Sequence, residues 1–315
     1  MGMLRIRLFG GVRLAHDGQP PVQHVTRAVQ SLLAYLLLHR QRLHPREVLA
    51  GVFWGDQSEE RARSCLSTAL WRLRGVLEPN GVPKGTYLAA TPTGEVGFNC
   101  GSSHWLDVAV FEEKLRAILA KPVQEMASED ARELQDTLSL CTSELLEGFY
   151  EDWALRERER IRSLHLRGLA HLMRYRRDTG AYEESLACGR QILGLDPLRE
   201  EIHREMMRLY VKAGQRALAV RHYQSCRKVL EEELAVPPME ETQRLYRQIL
   251  QGSDDLGGKI IPAGEGEARA AGEERASLEQ AFRKITRAMR HFEKTREQLQ
   301  RAIRILEQIA AGRNH

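Results

Sequence analysis

The chain has 315 residues, 42% of them apolar, 29% charged and only 6% aromatic, with a formal net charge of +4. That is an ordinary globular composition, long enough for two domains and an appendage and rich in helix formers. The longest apolar run, Leu32 to Leu38, is far too short to cross a bilayer, so no membrane span is expected. The net charge is too small to demand nucleic acid, yet residues 1–100 hold 12 Lys/Arg against 7 Asp/Glu, a bias that suits a polyanion.

The five cysteines, Cys65, Cys100, Cys141, Cys188 and Cys226, are widely spaced and form no CxxC pair. They read as reduced thiols of a cytoplasmic protein. No basic-then-apolar leader is read at the start, because Met1–Phe9 already alternates like a strand.

In chain order, Met3 to Val12 alternates Leu4, Ile6 and Leu8 with Arg5 and Arg7, the pattern of a half-buried strand. Gly10-Gly11 and His16-Asp17-Gly18 supply turns. Thr26 is placed as the N-cap of a helix running to His39, with Ala28, Leu32, Leu33, Leu36 and Leu37 inward. Pro45 opens a second helix, Arg46 to Val52, which ends near Phe53-Trp54-Gly55.

The next stretch, Ser58 to Leu77, has an unusual polar face. Ala62, Cys65, Leu66, Ala69, Leu70, Leu73, Val76 and Leu77 fall on one arc and predict a core-facing stripe. Ser64, Ser67, Thr68 and Trp71 occupy the opposite pole, flanked by Arg63 and Arg74 on one edge and by Arg61 and Arg72 on the other. An ordinary solvated face carries mixed Lys and Glu. A small polar centre between arginine edges suits a duplex groove, with arginines on phosphates and short hydroxyls on base edges. Tyr87–Ala90 and Val96–Phe98, joined by a turn at Thr91-Pro92-Thr93-Gly94, then predict a β-hairpin.

Short strands, three helices and a terminal hairpin within about a hundred residues describe a winged helix-turn-helix, with the hairpin as wing. The run RARSCLSTALWRLRGVL and the preceding Phe53-Trp54-Gly55-Asp56 resemble the OmpR-type winged helix of the Streptomyces antibiotic regulatory protein (SARP) family. The family pattern departs at Ser67 and Trp71, where longer polar side chains are common, so its target sequence does not transfer.

From Trp105 the periodicity is helical: Asp107 to Ala120, Ser128 to Leu146 and Glu157 to Thr179, then Glu183 to Leu193, Glu200 to Ala213 and Gln215 to Glu233. Gly180 and Gly214 lie 34 residues apart in helix–helix turns, and prolines at Pro197 and at Pro237-Pro238 follow the second helices. This is the tetratricopeptide pattern, and it predicts one helical superhelix over about 105–250. GFYEDW, ERER and LDPLREEIHREMMRLYVKAGQRALAVRHYQSCRKVLEEELAVPPMEETQRLY resemble the bacterial transcriptional activation domain that follows the winged helix in the same family.

Gln251 to Glu274, rich in Gly, Ala, Glu and Asp, reads as a flexible linker. Gly257-Gly258-Lys259 lacks the spacing and hydroxyl of a P-loop, so no ATPase module is expected in this stretch. Ser277 to Ala310 reads as one helix, with Leu278, Ile285, Phe292, Leu299 and Leu306 every seven residues and Phe282, Met289 and Ile303 between them. Arg296 interrupts this seam, and Ala281, Ala288, Ala302 and Ile309 widen its stripe. Residues 278–310 are expected to mediate homo-oligomerisation, with packing on the repeat domain as the alternative.

No catalytic chemistry is indicated. His39/His44 and His165/His171 lack the spacing of paired ligands on one helix face, Asp254-Asp255 and Glu240-Glu241 read as solvated charges, and no nucleophile has a base in motif form. His44 and Arg46 stand at the start of helix two, where a phosphate contact is one reading and simple exposure the other.

The expected fold is therefore mainly α: an α/β winged helix (1–100), a tetratricopeptide-like region (105–250), a linker (251–274) and a coiled-coil-like helix (275–312). The expected protein is not an enzyme and needs no cofactor or metal. It would bind double-stranded DNA through Arg61, Arg63, Ser64, Ser67, Thr68, Trp71, Arg72 and Arg74 in the major groove, with Thr91 and Thr93 of the wing at the minor groove. The resemblance further implies an activator on promoter direct repeats that contacts RNA polymerase. The competing expectation is a protein-interaction adaptor, with the repeat groove holding a peptide and the winged helix acting as a docking module.

Overall fold

A computed structural model of the chain describes residues 3–16, 25–79 and 81–251. The turn at Asp17-Gly18, all but the first residue of the expected linker, and the coiled-coil-like helix with its oligomerisation seam lie outside the described residues.

β1 (Leu4–Arg7) alternates fully buried Leu4 and Ile6 with exposed arginines, and it pairs antiparallel with β2 (Arg13–His16). α1 (Arg27–Leu38) is the central helix of this end of the molecule, with Leu32, Leu33, Leu36 and Leu37 at 0% exposure. Removing each such leucine from water is worth about 1.5–3 kcal/mol. Thr26 does occupy the N-cap, but through its backbone: its carbonyl accepts from the amides of Val29 and Gln30, and its hydroxyl makes no capping bond. α2 (Arg46–Trp54) and α3 (Glu59–Leu77) follow, separated by Gly55–Ser58.

Three short strands complete a second sheet. β3 (His44–Pro45) and β4 (Leu88–Ala90) flank β5 (Glu95–Phe98), in the order β3-β5-β4. The pairing Leu88↔Phe98 to Ala90↔Val96 is the expected hairpin. Pro45 lies at the edge of this sheet, opposite Glu95, and serves as the N-cap of α2.

Helix does not begin at Trp105. β6 (His104–Leu106) runs parallel to β1 in the register Leu4↔His104 to Ile6↔Leu106, and only then does α4 (Asp107–Leu119) start. Its first residue, Asp107, is 3% exposed, and its carboxylate accepts from the backbone N–H groups of Leu8, Phe9 and Val108 at 2.7–3.0 Å. Burial pushes this carboxyl above its usual range, with the backbone donors opposing the shift.

α5 (Ser128–Ser139) also departs from expectation, ending seven residues before Leu146. The helical periodicity there is overridden by tertiary contacts. Gly10 donates to the Glu144 carbonyl, Leu146 donates to the Leu8 carbonyl, and Leu146 itself adopts φ +51°. The Arg158 guanidinium then takes the carbonyls of Leu145, Leu146 and Phe149 at 2.8–3.0 Å, giving the curved segment the partners a helix would have supplied. The GFYEDW stretch that follows faces α1: Arg27 lies 3.4 Å over the Phe149 ring and donates to the Gly148 carbonyl, and Glu151 accepts from Ser31.

α6 (Asp152–Asp178) begins five residues before the expected Glu157, because Trp153 packs edge-on against Tyr35 and Phe53. Glu112 of α4, 5% exposed, pairs with both Arg40 beyond α1 and Arg160 of α6. One hydrophobic core therefore runs from β1 to the helical region. Residues Met1–Asp254 make up one unit; the other, Asp255–His315, is outside the described residues.

α7 (Tyr182–Leu195), α8 (Glu200–Lys212), α9 (Arg216–Leu234) and α10 (Glu240–Gln251) pack each on the next. Gly180 (φ +81°) and Gly214 (φ +73°) turn the chain between helices in the left-handed conformation that only glycine adopts cheaply. The buried Glu200 carboxylate accepts from the Met239 amide and the fully buried Thr242 hydroxyl, locking α8 to α10. Tyr223 and Tyr246 stack at 3.9 Å between ring centres.

His203 and His222, from α8 and α9, form a pair that sequence spacing does not reveal. Nε2 of His203 faces the Pro197 carbonyl at 3.0 Å and must donate there, and with both rings neutral its Nδ1 accepts from His222 Nε2 at 3.0 Å. Burial lowers both, and for His222 the neighbouring His203 adds to the effect, bringing it to about 4.

Two outcomes are expected. Asp107→Asn sets an amide donor against backbone donors and should lower the unfolding free energy by about 1–3 kcal/mol in urea titrations. The histidine pair is depressed in the folded state, so its contribution is complete above pH 6.5 and is lost as pH falls towards about 4. The thermal midpoint should decline over that interval, and less so in His222→Gln.

Candidate nucleic-acid interface

α3 positions the site by burying its other side. Ala62, Leu66, Ala69, Leu70, Leu73 and Leu77 are buried, and Cys65 and Val76 lie half-buried at the border. With that stripe fixed, Arg61, Arg63, Ser64, Ser67, Thr68, Trp71 and Arg72 point to solvent. Trp71 is 75% exposed, an unusual placement for the largest apolar side chain, and it packs in neither the wing nor the helical region.

Two hydroxyls on this face are oriented. Ser67 donates to the Arg63 carbonyl at 2.9 Å and Thr68 to the Ser64 carbonyl at 3.1 Å, so both oxygens remain as acceptors. Arg46, the first residue of α2, donates to Ser67 Oγ at 2.8 Å. Its side chain also runs past Gly94 in the wing turn, which connects the start of α2, the middle of α3 and the wing.

The arginines divide into two kinds. Arg61 and Arg72 have no ion pair or hydrogen bond among the described residues, and both are exposed. Arg63 pairs with Glu59 at 2.6 Å in the first turn, both partners being well exposed, a contact worth only a few tenths of a kcal/mol. Arg74 is turned inward: its Nε lies 3.5 Å from Glu78 and its guanidinium reaches the Leu88 carbonyl. Glu78, whose side chain is 0% exposed, accepts at Oε1 from the amides of Gly85, Tyr87 and Leu88. Arg74 and Glu78 therefore hold the wing against α3.

The wing tip is a compact turn. Thr91 and Thr93 hydroxyls lie 2.7 Å apart, the Glu95 amide donates to Thr91 Oγ1 at 3.1 Å, and Gly94 takes φ +90°. Between wing and helix runs an open cleft of about 910 Å³ lined by Arg46, Ser67, Trp71, Arg72, Arg74 and Lys84 among others.

Nine of the ten sequence-derived residues thus have solvent access on α3 or at the wing tip, and Arg74 is the one turned inward, towards Glu78. Arg46 and Lys84 line the cleft between α3 and the wing. Their sequence signal was a lone basic residue at a helix start and another in a loop, which becomes informative only once the tertiary fold sets both beside α3. His44 is different: it is 2% exposed, faces the His39 carbonyl and the Tyr35 ring, and cannot reach a phosphate. No group of three or more His, Cys, Asp or Glu side chains among the described residues is arranged to hold a metal, and no described helix is long and apolar enough to cross a membrane.

Known proteins share both the sequence pattern and the fold. The bacterial transcriptional activator domain matches residues 106–250. The regulatory protein AfsR of Streptomyces coelicolor is 27% identical over 257 residues, which are 81% of this chain but 25% of that protein, so the chain spans about a quarter of its length. The transcriptional regulatory protein MoaR1 of Mycobacterium tuberculosis is 25% identical over 242 residues, covering 73% of this chain and 75% of its own. Among solved structures, EmbR of Mycobacterium tuberculosis, determined with a low-affinity phosphopeptide, superposes with a TM-score of 0.64 at 19% identity over 80% of this chain and 66% of that one. That likeness establishes the fold. With the matched domain and the aligned regulators, the chain resembles SARP-type transcriptional regulators, its winged-helix fold preceding the matched activator domain.

Proposed function

We propose that the chain is a sequence-specific DNA-binding transcriptional activator. The observation that supports this most is the solvent face of α3, where hydroxyl acceptors and a protruding Trp71 are bordered on one edge by Arg61 and Arg72, which the protein itself leaves without partners, and on the other by the exposed Arg63. α3 enters the major groove. Ser64, Ser67, Thr68 and Trp71 meet base edges, the hydroxyl oxygens of Ser67 and Thr68 accepting from the exocyclic amines of cytosine or adenine, and Trp71 covers apolar edges such as a thymine methyl. Arg61, Arg63 and Arg72 take phosphates, joined by Arg46 and Lys84 across the cleft. Thr91 and Thr93 approach the adjacent minor groove, and Arg74 serves the complex by fixing the wing.

Promoter repeats bound by successive protomers, a contact of the helical region with RNA polymerase, and self-association through residues 278–310 belong to the same reading, of which the relatives' names support the regulatory role alone. An adaptor that docks through the winged helix would have no use for unpaired arginines around short hydroxyls.

Selection of bound sequences from random duplexes tests the proposal directly, and recovery of no motif, together with no duplex binding at low salt, would overturn it. In binding titrations Arg72→Ala should weaken the selected duplex and reduce the slope of log affinity against log salt by about 0.9. Trp71→Ala should alter the recovered motif while leaving the melting temperature unchanged. Glu78→Ala strands the two buried amides of Tyr87 and Leu88 and the part-buried one of Gly85 beside the wing, and it should lower stability by about 1–3 kcal/mol in urea and weaken duplex binding without changing the motif.

A further inference from the structure

A second basic surface lies in the helical region, away from the nucleic-acid interface. It is a cleft of about 560 Å³ between the turn after α4 and the C-terminal half of α6, closed at one end by Arg199 before α8. Five of its lining side chains are cationic: Lys121, Arg167, Arg174, Arg177 and Arg199. The single acidic one, Asp178, is already bound by Arg177 at 2.8 Å. Lys121 pairs with Asp130 and Arg199 with Glu201, both outside the cleft lining.

Arg167 and Arg174 have no such partners among the described residues, and both are exposed. Their seven-residue spacing sets them on one side of α6, about 10 Å apart along its axis. Arg160 continues the same line one step earlier and borders an adjoining depression with Arg116 and Arg167. A folded chain does not keep two unpaired guanidinium groups converging on one cleft for its own stability, because like charges repel.

The cleft lining adds an independent sign. His171 is 7% exposed, one ring nitrogen hydrogen-bonds to the Lys121 carbonyl, and Nε2 is buried with no hydrogen-bond partner. Buried polar atoms are rarely left unsatisfied. An imidazole nitrogen lining the same cleft as two open guanidinium forks gives a set of groups suited to an oxyanion with a hydroxyl, and the volume lies in the range of small-ligand sites.

We infer that this cleft binds a small phosphate-bearing ligand, a free oligophosphate or a phosphorylated small molecule, held by Arg167 and Arg174 with His171. The helical region would then carry a ligand site of its own, distinct from the face that meets DNA.

The test is calorimetric titration of the full chain with inorganic triphosphate and, separately, with a nucleoside triphosphate. One saturable site is expected, weakened by about tenfold or more in the Arg167→Ala/Arg174→Ala double variant and unchanged in Arg72→Ala. Both replaced residues are exposed, so the variant should melt as the parent does. Equal affinity for the two probes assigns a free oligophosphate, and tighter nucleotide binding assigns a phosphorylated small molecule. Absence of saturable binding, or binding abolished by Arg72→Ala and retained in the double variant, would overturn the inference. So would a double variant that weakens duplex binding when neither probe binds, which would assign the cleft to the DNA backbone.

Discussion

The Asp107 carboxylate is the constraint on which the arrangement depends. It sits where β1 ends and α4 begins, and by accepting from Leu8, Phe9 and Val108 it makes the end of a strand and the start of a helix a single hydrogen-bonded corner. Three backbone donors in a water-free corner have no other partner, so the chain after the wing must return beside β1, and β6 follows from that. The helical region is consequently grown out of the N-terminal sheet and shares its core.

Other polar groups repeat this logic. Arg158 takes three carbonyls from the segment Leu145–Phe149, and Glu112 joins Arg40 to Arg160. Arg158 and Arg160 belong to the ERER stretch and Glu112 to α4, which gives that stretch a physical role: its arginines satisfy backbone carbonyls and an ion pair at the seam between winged helix and helical region. In the same way Glu200 of LDPLREE and Thr242 of PPMEET are the two ends of one buried hydrogen bond.

The candidate interface is defined by subtraction. Glu78 withdraws Arg74 to secure the wing, Glu59 takes part of the charge of Arg63, and the arginines left over are those aimed at solvent around Ser64, Ser67 and Thr68. Because the hydroxyl hydrogens are spent on the helix's own carbonyls, this face offers acceptors between donors, which is a more specific surface than its residue types suggest. The cleft along α6 follows the same principle, with some cations neutralised locally and others left open.

Much was legible in the sequence because local periodicity and long-range packing agree there. The 3.6-residue stripe of α3 determined which side faces the core, hence which residues face solvent, and the glycine spacing of 34 residues determined the helix-pair repeat. Only the tertiary structure decided the rest. A three-residue strand such as His104–Leu106 has no period of its own and exists because β1 has free edge groups to pair. The helical pattern of 140–146 gave way because Leu8 and Gly10 offered its backbone other partners. The inward turn of Arg74, the arrival of Arg46 and Lys84 beside α3, and the meeting of His203 with His222 depend on contacts between distant segments, which no pattern within one segment encodes.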